Sequence, residues 1–262
     1  MIDNKVFAEL QNRGIITNVG LDAKDFNDIN DLKMCGFATS IASDTVYAEA
    51  VEKFVNTSEI LEKFLSDVAL GGVVTVPMNL TFTKPIIIEK DVTIDLNGYT
   101  LTNTPWDEDG ESNAYMFCVK NGKLTLTGDG AVIVPDAVYS MAVWANGGDV
   151  EINGGTYKNG GDSCDLVYAS KKGHVVINSG EFIAAGPASG NAPGTKNPYS
   201  ALNIKDSNRS TCSILVKGGK FYMFDPANNL SEGKDTNFVA EGFESIKEGD
   251  YYIVSAIPSV VE

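Results

Sequence analysis

The side chains able to do chemistry in this sequence are few and scattered. Acidic residues gather in two stretches, Asp107, Glu108, Asp109 and Glu111 in the first, Asp162 and Asp165 in the second. Paired carboxylates flanking a glycosidic bond are the machinery of sugar-chain hydrolysis, and hard oxygen ligands are what Ca²⁺ takes. The same charges also make an ordinary solvated loop. Asp95 and Glu151 read as sharing an outward column with Thr125 between them. Strands about 4.8 Å apart would set that pair roughly 10 Å apart, slightly beyond the usual window for an inverting pair. Its neighbours Thr125, Val176 and Leu215 give the column a structural character. The single histidine, His174, stands in a turn before Val175, and Arg209 stands in the turn-like Asp206-Ser207-Asn208-Arg209-Ser210. Four widely spaced cysteines (Cys35, Cys118, Cys164, Cys212) form no CxxC. They read as buried free thiols of a reducing cytoplasm, and zinc-ligand spacing is absent. The expectation is no catalytic residue, no metal site, no cofactor and no enzyme activity. Trp106, Tyr115, Trp144, Tyr157, Tyr168 and Tyr199 could offer flat faces to sugars, although aromatics serve equally in cores. The two placed in loops, Trp106 and Tyr199, are the candidate glycan contacts.

These residues must be positioned by elements whose punctuation is uneven. The chain has 262 residues with 26 Gly and 9 Pro, yet only Gly14, Gly20 and Gly36, and no Pro, fall in the first seventy. Turn-formers are thus confined to one part, which places a boundary close to Gly71-Gly72. The hydrophobic fraction of 43% and charged fraction of 21% describe a globular chain. The net charge of −15 excludes a nucleic-acid coat, which needs clustered Lys and Arg, and disfavours anionic lipid. Met1-Ile2-Asp3-Asn4-Lys5 lacks the basic and apolar regions of a secretory signal. No run approaches the ~18–20 apolar residues of a membrane span; Pro85-Ile86-Ile87-Ile88 is a short strand instead.

Residues 1–70 read as helical pieces at Asn4–Arg13, Ala23–Met34, Asp44–Phe54 and Asn56–Leu70. The last has Asn56 and Glu59 in capping positions and an apolar stripe of Ile60, Leu61, Phe64, Leu65 and Val68. Short amphipathic helices bury little area alone. They pack on the next domain or serve as an attachment and oligomerisation module.

Residues 71–262 repeat a block of alternating apolar and polar residues ending in Gly. It appears as Ile94-Asp95-Leu96-Asn97-Gly98, Leu124–Gly128, Val150–Tyr157, Val175–Phe182 and Ile214–Phe221. With Leu96, Leu126, Ile152, Ile177 and Val216 taken as equivalent, the steps are about 30, 26, 25 and 39 residues, the range of stacked repeats. A second alternating strand precedes each block after the first: Tyr115–Val119, Ser140–Trp144, Asp165–Tyr168 and Ser200–Ile204. Period-two alternation excludes helices here, and the short steps exclude a four-stranded propeller blade. A coil of three short strands fits a parallel β-helix. Leu96, Leu126, Ile152, Ile177 and Val216 would form one inward column, and Phe182 and Phe221 would stack near Tyr157 in another. Asn97, Thr127, Asn153 and Asn178 would form a polar ladder at the bend. Extra length leaves the coils at Thr104–Asn113, Lys158–Cys164 and Ala184–Pro198.

The stretch Leu70–Pro77, followed by Val92-Thr93-Ile94-Asp95-Leu96-Asn97-Gly98-Tyr99-Thr100-Leu101, resembles the opening coils of pectate-lyase-like right-handed β-helices, a fold shared by enzymes, adhesins and virion spikes. The end, from Gly218-Gly219-Lys220-Phe221 through Phe224–Asn228 to Thr236–Gly242, resembles C-terminal segments of fibre and appendage proteins of tailed bacteriophages. Asp25-Phe26-Asn27, leading to Leu32–Gly36, resembles N-terminal modules of phage head fibres. The resemblance implies a right-handed parallel β-helix (71–262, with a C-terminal cap segment) preceded by a small α-helical module (1–70). It further implies a structural virion protein assembled in the host cytoplasm. Its expected partners are two further copies in a homotrimer, capsid or tail proteins bound through residues 1–70, and a surface glycan, with neither nucleic acid nor membrane. The alternative is a polysaccharide depolymerase or lyase of the same fold. The Arg or Lys base and clustered carboxylates of the family's lyases are not recovered here.

Overall fold

The computed structural model describes residues 59–108, 110–160, 165–184, 201–228 and 236–258. The chain divides into two compact units, Met1–Lys63 and Phe64–Glu262. Of the first, the description covers only 59–63; the helices expected at Asn4–Arg13, Ala23–Met34 and Asp44–Phe54 lie outside it. Residues 59–70 are helical. Phe64 and Val68, a turn apart, are both buried, and the Phe64 ring lies 6.1 Å from that of Phe82. The helix stops at Gly71, whose φ of 86° suits a left-handed C-terminal residue.

The second unit is mainly β, and its strands pair in parallel along three ladders. In the first, Gly72–Thr75, Val92–Asp95, Lys123–Thr127, the starts of Asp149–Asn159 and His174–Ile183, and Ser213–Val216 lie side by side. Their register aligns Val74, Ile94, Leu126, Ile152, Ile177 and Val216, and all six are buried. The first block is therefore displaced from the sequence reading by two residues, with Ile94 rather than Leu96 opposite Leu126. Leu96 is also fully buried, so alternation alone could not choose between them. The choice is made by hydrogen bonds: the Leu96 amide donates to the Thr127 carbonyl, one step past the ladder.

The second ladder aligns Leu80, Leu101, Val132, Tyr157, Phe182 and Phe221. The expected aromatic stack is present in it. Tyr157 and Phe182 lie 5.2 Å apart at 11°, and Phe182 and Phe221 lie 4.8 Å apart at 8°. These distances match the strand spacing, so parallel in-register pairing places the phenol and phenyl rings face over face. Tyr157 is wholly buried, and its hydroxyl donates to the Gly154 carbonyl at 2.9 Å. That satisfies its one polar group, while burial pushes its ionisation well above the usual range.

The third ladder comprises Ile86–Ile88, Phe117–Val119, Val143–Asn146, Val167–Ser170 and Leu202–Ile204. Phe117, Val143, Val167 and Leu202 point into the core, as do Val119, Ala145 and Ala169 two residues on. The intervening column, Ile87, Cys118, Trp144, Tyr168 and Asn203, faces the opposite way. Tight turns link this ladder to the first. In one, Gly122 has φ 69°, and a Cβ there would lie 2.6 Å from the Lys90 carbonyl carbon. Only glycine fits both the dihedral and the approach.

An antiparallel hairpin, Phe243–Glu248 with Tyr251–Ala256, pairs with Gly219–Tyr222 and ends the parallel run. Within the stretch Thr104–Asn113, which reads as an excursion, Trp106–Glu108 pairs antiparallel with Glu111–Asn113 as a hairpin.

Candidate functional site

The outward column of the third ladder carries the most distinctive surface of the described residues. Trp144 and Tyr168 occupy equivalent positions on adjacent strands, with ring centroids 6.4 Å apart. Tyr115, just before its strand, meets Trp144 edge to face at 5.3 Å, and Trp106 from the hairpin meets Tyr115 at 4.9 Å. Four aromatic rings from four separated segments thus form one row. Cys118 and Met141 are buried beneath it, Tyr115 is its buried member, and Trp106, Trp144 and Tyr168 are partly buried. Edge-to-face geometry sets a positive ring edge against a negative face, which orders the rings beyond simple contact.

Trp144 is fixed by a polar relay. Its Nε1 donates to Ser170 Oγ at 2.9 Å, Ser170 Oγ donates to Asn146 Oδ1 at 3.2 Å, and Asn146 Nδ2 donates to Cys118 Sγ at 3.5 Å. Asn146 and Ser170 are buried and in register with each other. Burial raises the Cys118 thiol above its ordinary pKa, the Asn146 contact partly opposing it. At the other end, Glu108 Oε2 accepts from Trp106 Nε1 at 3.4 Å and from the Tyr115 hydroxyl at 3.1 Å. Burial, then the Glu108 carboxylate, pushes Tyr115 up to about 12.

Beside this row runs a cleft of about 1050 Å³. Its walls include Tyr115, Tyr139, Trp144 and Tyr168, the carboxylates of Glu108, Glu111, Asp165 and Asp206, and the amines of Lys171 and Lys205. On its wall Asn203 Nδ2 donates to Asp165 Oδ2 at 2.7 Å, while Asn203 Oδ1 is buried with no hydrogen-bond partner. Volume, aromatic walls and a few polar groups are the usual attributes of a small-molecule or oligomer site.

Trp106, one of the two candidate contacts, lies at the end of the aromatic row without lining the cleft, and Lys84 Nζ sits 5.9 Å from its ring centre. Tyr199 lies outside the described residues, as do Asp109 and Asp162. Asp107 accepts from the Gly110 amide at 3.2 Å across its own turn. Glu108 and Glu111 face each other across the hairpin and both reach the cleft. Asp95 and Glu151 belong to different columns: Asp95 pairs with Thr127, whereas Glu151 pairs with Thr125. That removes the suggested carboxylate pair. Glu151 is instead tied to Lys123, and this contact with that of Asn153 holds its carboxyl below the usual range. The polar ladder at the bend forms in part. Asn178 Nδ2 donates to Asn153 Oδ1 at 2.7 Å, while Asn97 turns to the Val76 carbonyl at 3.1 Å.

His174 Nδ1 shares a hydrogen bond with Ser213 Oγ at 2.8 Å on the neighbouring strand, and Arg209 pairs with Asp206 at 2.9 Å. Cys118 and Cys212 are buried free thiols. Among the described residues no group of three His, Cys, Asp or Glu could hold a metal ion, and no helix is long and apolar enough to cross a membrane. Sequence reasoning missed the Asn146–Ser170 relay because both residues open polar turn stretches, Asn146-Gly147-Gly148-Asp149 and Ser170-Lys171-Lys172-Gly173-His174. The available signal was their position two residues after an aromatic in successive repeats, Trp144-Ala145-Asn146 and Tyr168-Ala169-Ser170.

Comparison with known proteins finds no matching family model, no matching curated protein and no matching solved structure.

Proposed function

We propose that residues 71–262 form a right-handed, single-stranded parallel β-helix and that the protein is a structural fibre or decoration of a tailed-bacteriophage particle. In this reading residues 1–70 anchor it to capsid or tail proteins, three copies assemble, and the outward face of the third ladder meets surface glycans. The coil is supported by the pairing itself: each of the first five repeats contributes a segment to all three ladders and the sixth to the first two, paired in parallel throughout. The glycan contact is carried by one observation, the aromatic row Trp106–Tyr115–Trp144–Tyr168 bordering an open cleft. The phage assignment rests on the resemblance of Gly218–Gly242 and Asp25–Gly36 to appendage proteins. A net charge of −15 suits an exposed, soluble appendage.

The test is light scattering of the purified chain together with cryo-electron microscopy of particles from the native source. A trimeric mass and density for the chain on the particle surface support the reading. A monomer absent from particles overturns it. The carboxylates Glu108, Glu111, Asp165 and Asp206 along the same cleft favour one competitor, a depolymerase. It requires release of reducing ends or unsaturated products from a polysaccharide panel; their absence disposes of it.

A further inference from the structure

We propose that the cleft takes a neutral, hydroxyl-rich glycan chain laid across successive strands, and that it rejects polyanionic glycans. This rests on the glycan-contact reading above and adds direction and charge class to it. Direction follows from register. Trp144, Tyr168 and Asn203 are equivalent positions on neighbouring parallel strands, so the groups that could touch a ligand recur every ~4.8 Å along the stacking direction. A chain following them runs from the hairpin end, at Glu108 and Tyr115, toward Asn203 and Lys205.

Charge class follows from the walls. Glu108, Glu111, Asp165 and Asp206 face Lys171 and Lys205 in the walls, and Asp206 is also paired with Arg209, so the excess of negative charge lies at the hairpin end with Glu108 and Glu111. Sulfated, sialylated or uronate chains would meet like charge at the hairpin end of that path, and partly shielded clefts focus such repulsion. Carboxylates are acceptor-only groups with several lone-pair sites, and vicinal hydroxyls can add donors to those they already accept from. The platform is also prepared in advance. The Ser170–Asn146 relay holds the Trp144 ring, and Glu108 ties the Trp106 and Tyr115 ends together. Rings already ordered lose less entropy on binding. Hydrogen-bonded, half-buried aromatics beside acceptors suit an amphipathic ligand with apolar faces and a polar rim.

The experiment uses the full chain against matched oligosaccharides: neutral hexose and N-acetylhexosamine chains, and sialylated, uronate and sulfated chains of equal length. Binding is read by glycan array and titration calorimetry for the native sequence, Tyr168→Ala and Glu111→Lys. Neutral chains should bind, with roughly tenfold loss in Tyr168→Ala. Anionic chains should bind only to Glu111→Lys, whose exposed site leaves the core intact. Anionic binding by the native sequence that Tyr168→Ala abolishes overturns the charge class while leaving glycan contact standing. Neutral binding indifferent to Tyr168→Ala overturns the placement in the cleft. Silence toward every glycan overturns this proposal and the adhesion reading together.

Discussion

Replacing Phe182 by alanine probes the register of the second ladder directly. Its ring is wholly buried, stacked on Tyr157 at 5.2 Å and Phe221 at 4.8 Å. Truncating a core Phe costs about 3–5 kcal/mol, from lost transfer energy and the cavity left behind. Each near-parallel ring contact adds about 0.5–1.5 kcal/mol beyond area. Phe182 makes two such contacts, so the upper part of that range is expected. The pairwise terms separate in double-mutant cycles. Tyr157→Leu with Phe182→Leu should couple by about 0.5–1.5 kcal/mol. Tyr157 and Phe221 lie two strand spacings apart, about 10 Å, with Phe182 between them. They should add to within about 0.3–0.5 kcal/mol. The assay is urea unfolding followed by circular dichroism at fixed protein concentration, with stabilities from linear extrapolation. A Phe182→Ala cost below about 1 kcal/mol would refute the stacked column. So would a Tyr157–Phe221 coupling as large as that of the adjacent pair.

Three further outcomes follow from particular residues. Gly122→Ala should destabilise by about 1–3 kcal/mol, because a strained positive φ carries that cost and its Cβ would press on the Lys90 backbone; calorimetric melting of this variant beside Gly242→Ala, whose Cβ meets nothing, separates clash from dihedral strain. Tyr115 should ionise near 12 in an ultraviolet titration, later than an ordinary tyrosine. Its folded pKa is raised, so its stabilising contribution is complete below about 10 and is lost as pH climbs from there through 12. Glu108→Gln should move that ionisation partway back, with burial accounting for the remainder.

The legible part of the fold was its local grammar. Alternation in Leu124–Thr127 or Val150–Asn153 is written in consecutive residues, because successive strand side chains point to opposite faces whatever lies beside them. Gly122 and the bend glycines announce their turns in the same local way, and the Tyr157–Phe182–Phe221 stack follows from each ring standing five residues after the inward aliphatic of its block, Ile152, Ile177 or Val216. Register in the first coil was not legible. Leu96 and Ile94 share parity and are both buried, and the two-residue choice depends on which carbonyl the next strand presents. The same slip separated Asp95 from Glu151.

The sequence by itself determined a parallel-sheet repeat with inward aliphatic and aromatic columns, since side-chain period and turn chemistry are properties of short segments. The tertiary structure alone decided the cleft. Trp106, Tyr115, Trp144 and Tyr168 come from a hairpin, an approach to a strand and two different strands, and Asp206 comes from a short 3-10 turn. Nothing local marks them as neighbours. They become one row because in-register parallel pairing sets equivalent positions ~4.8 Å apart, and because the Thr104–Asn113 stretch folds back as a hairpin that carries Trp106 and Glu108 onto Tyr115.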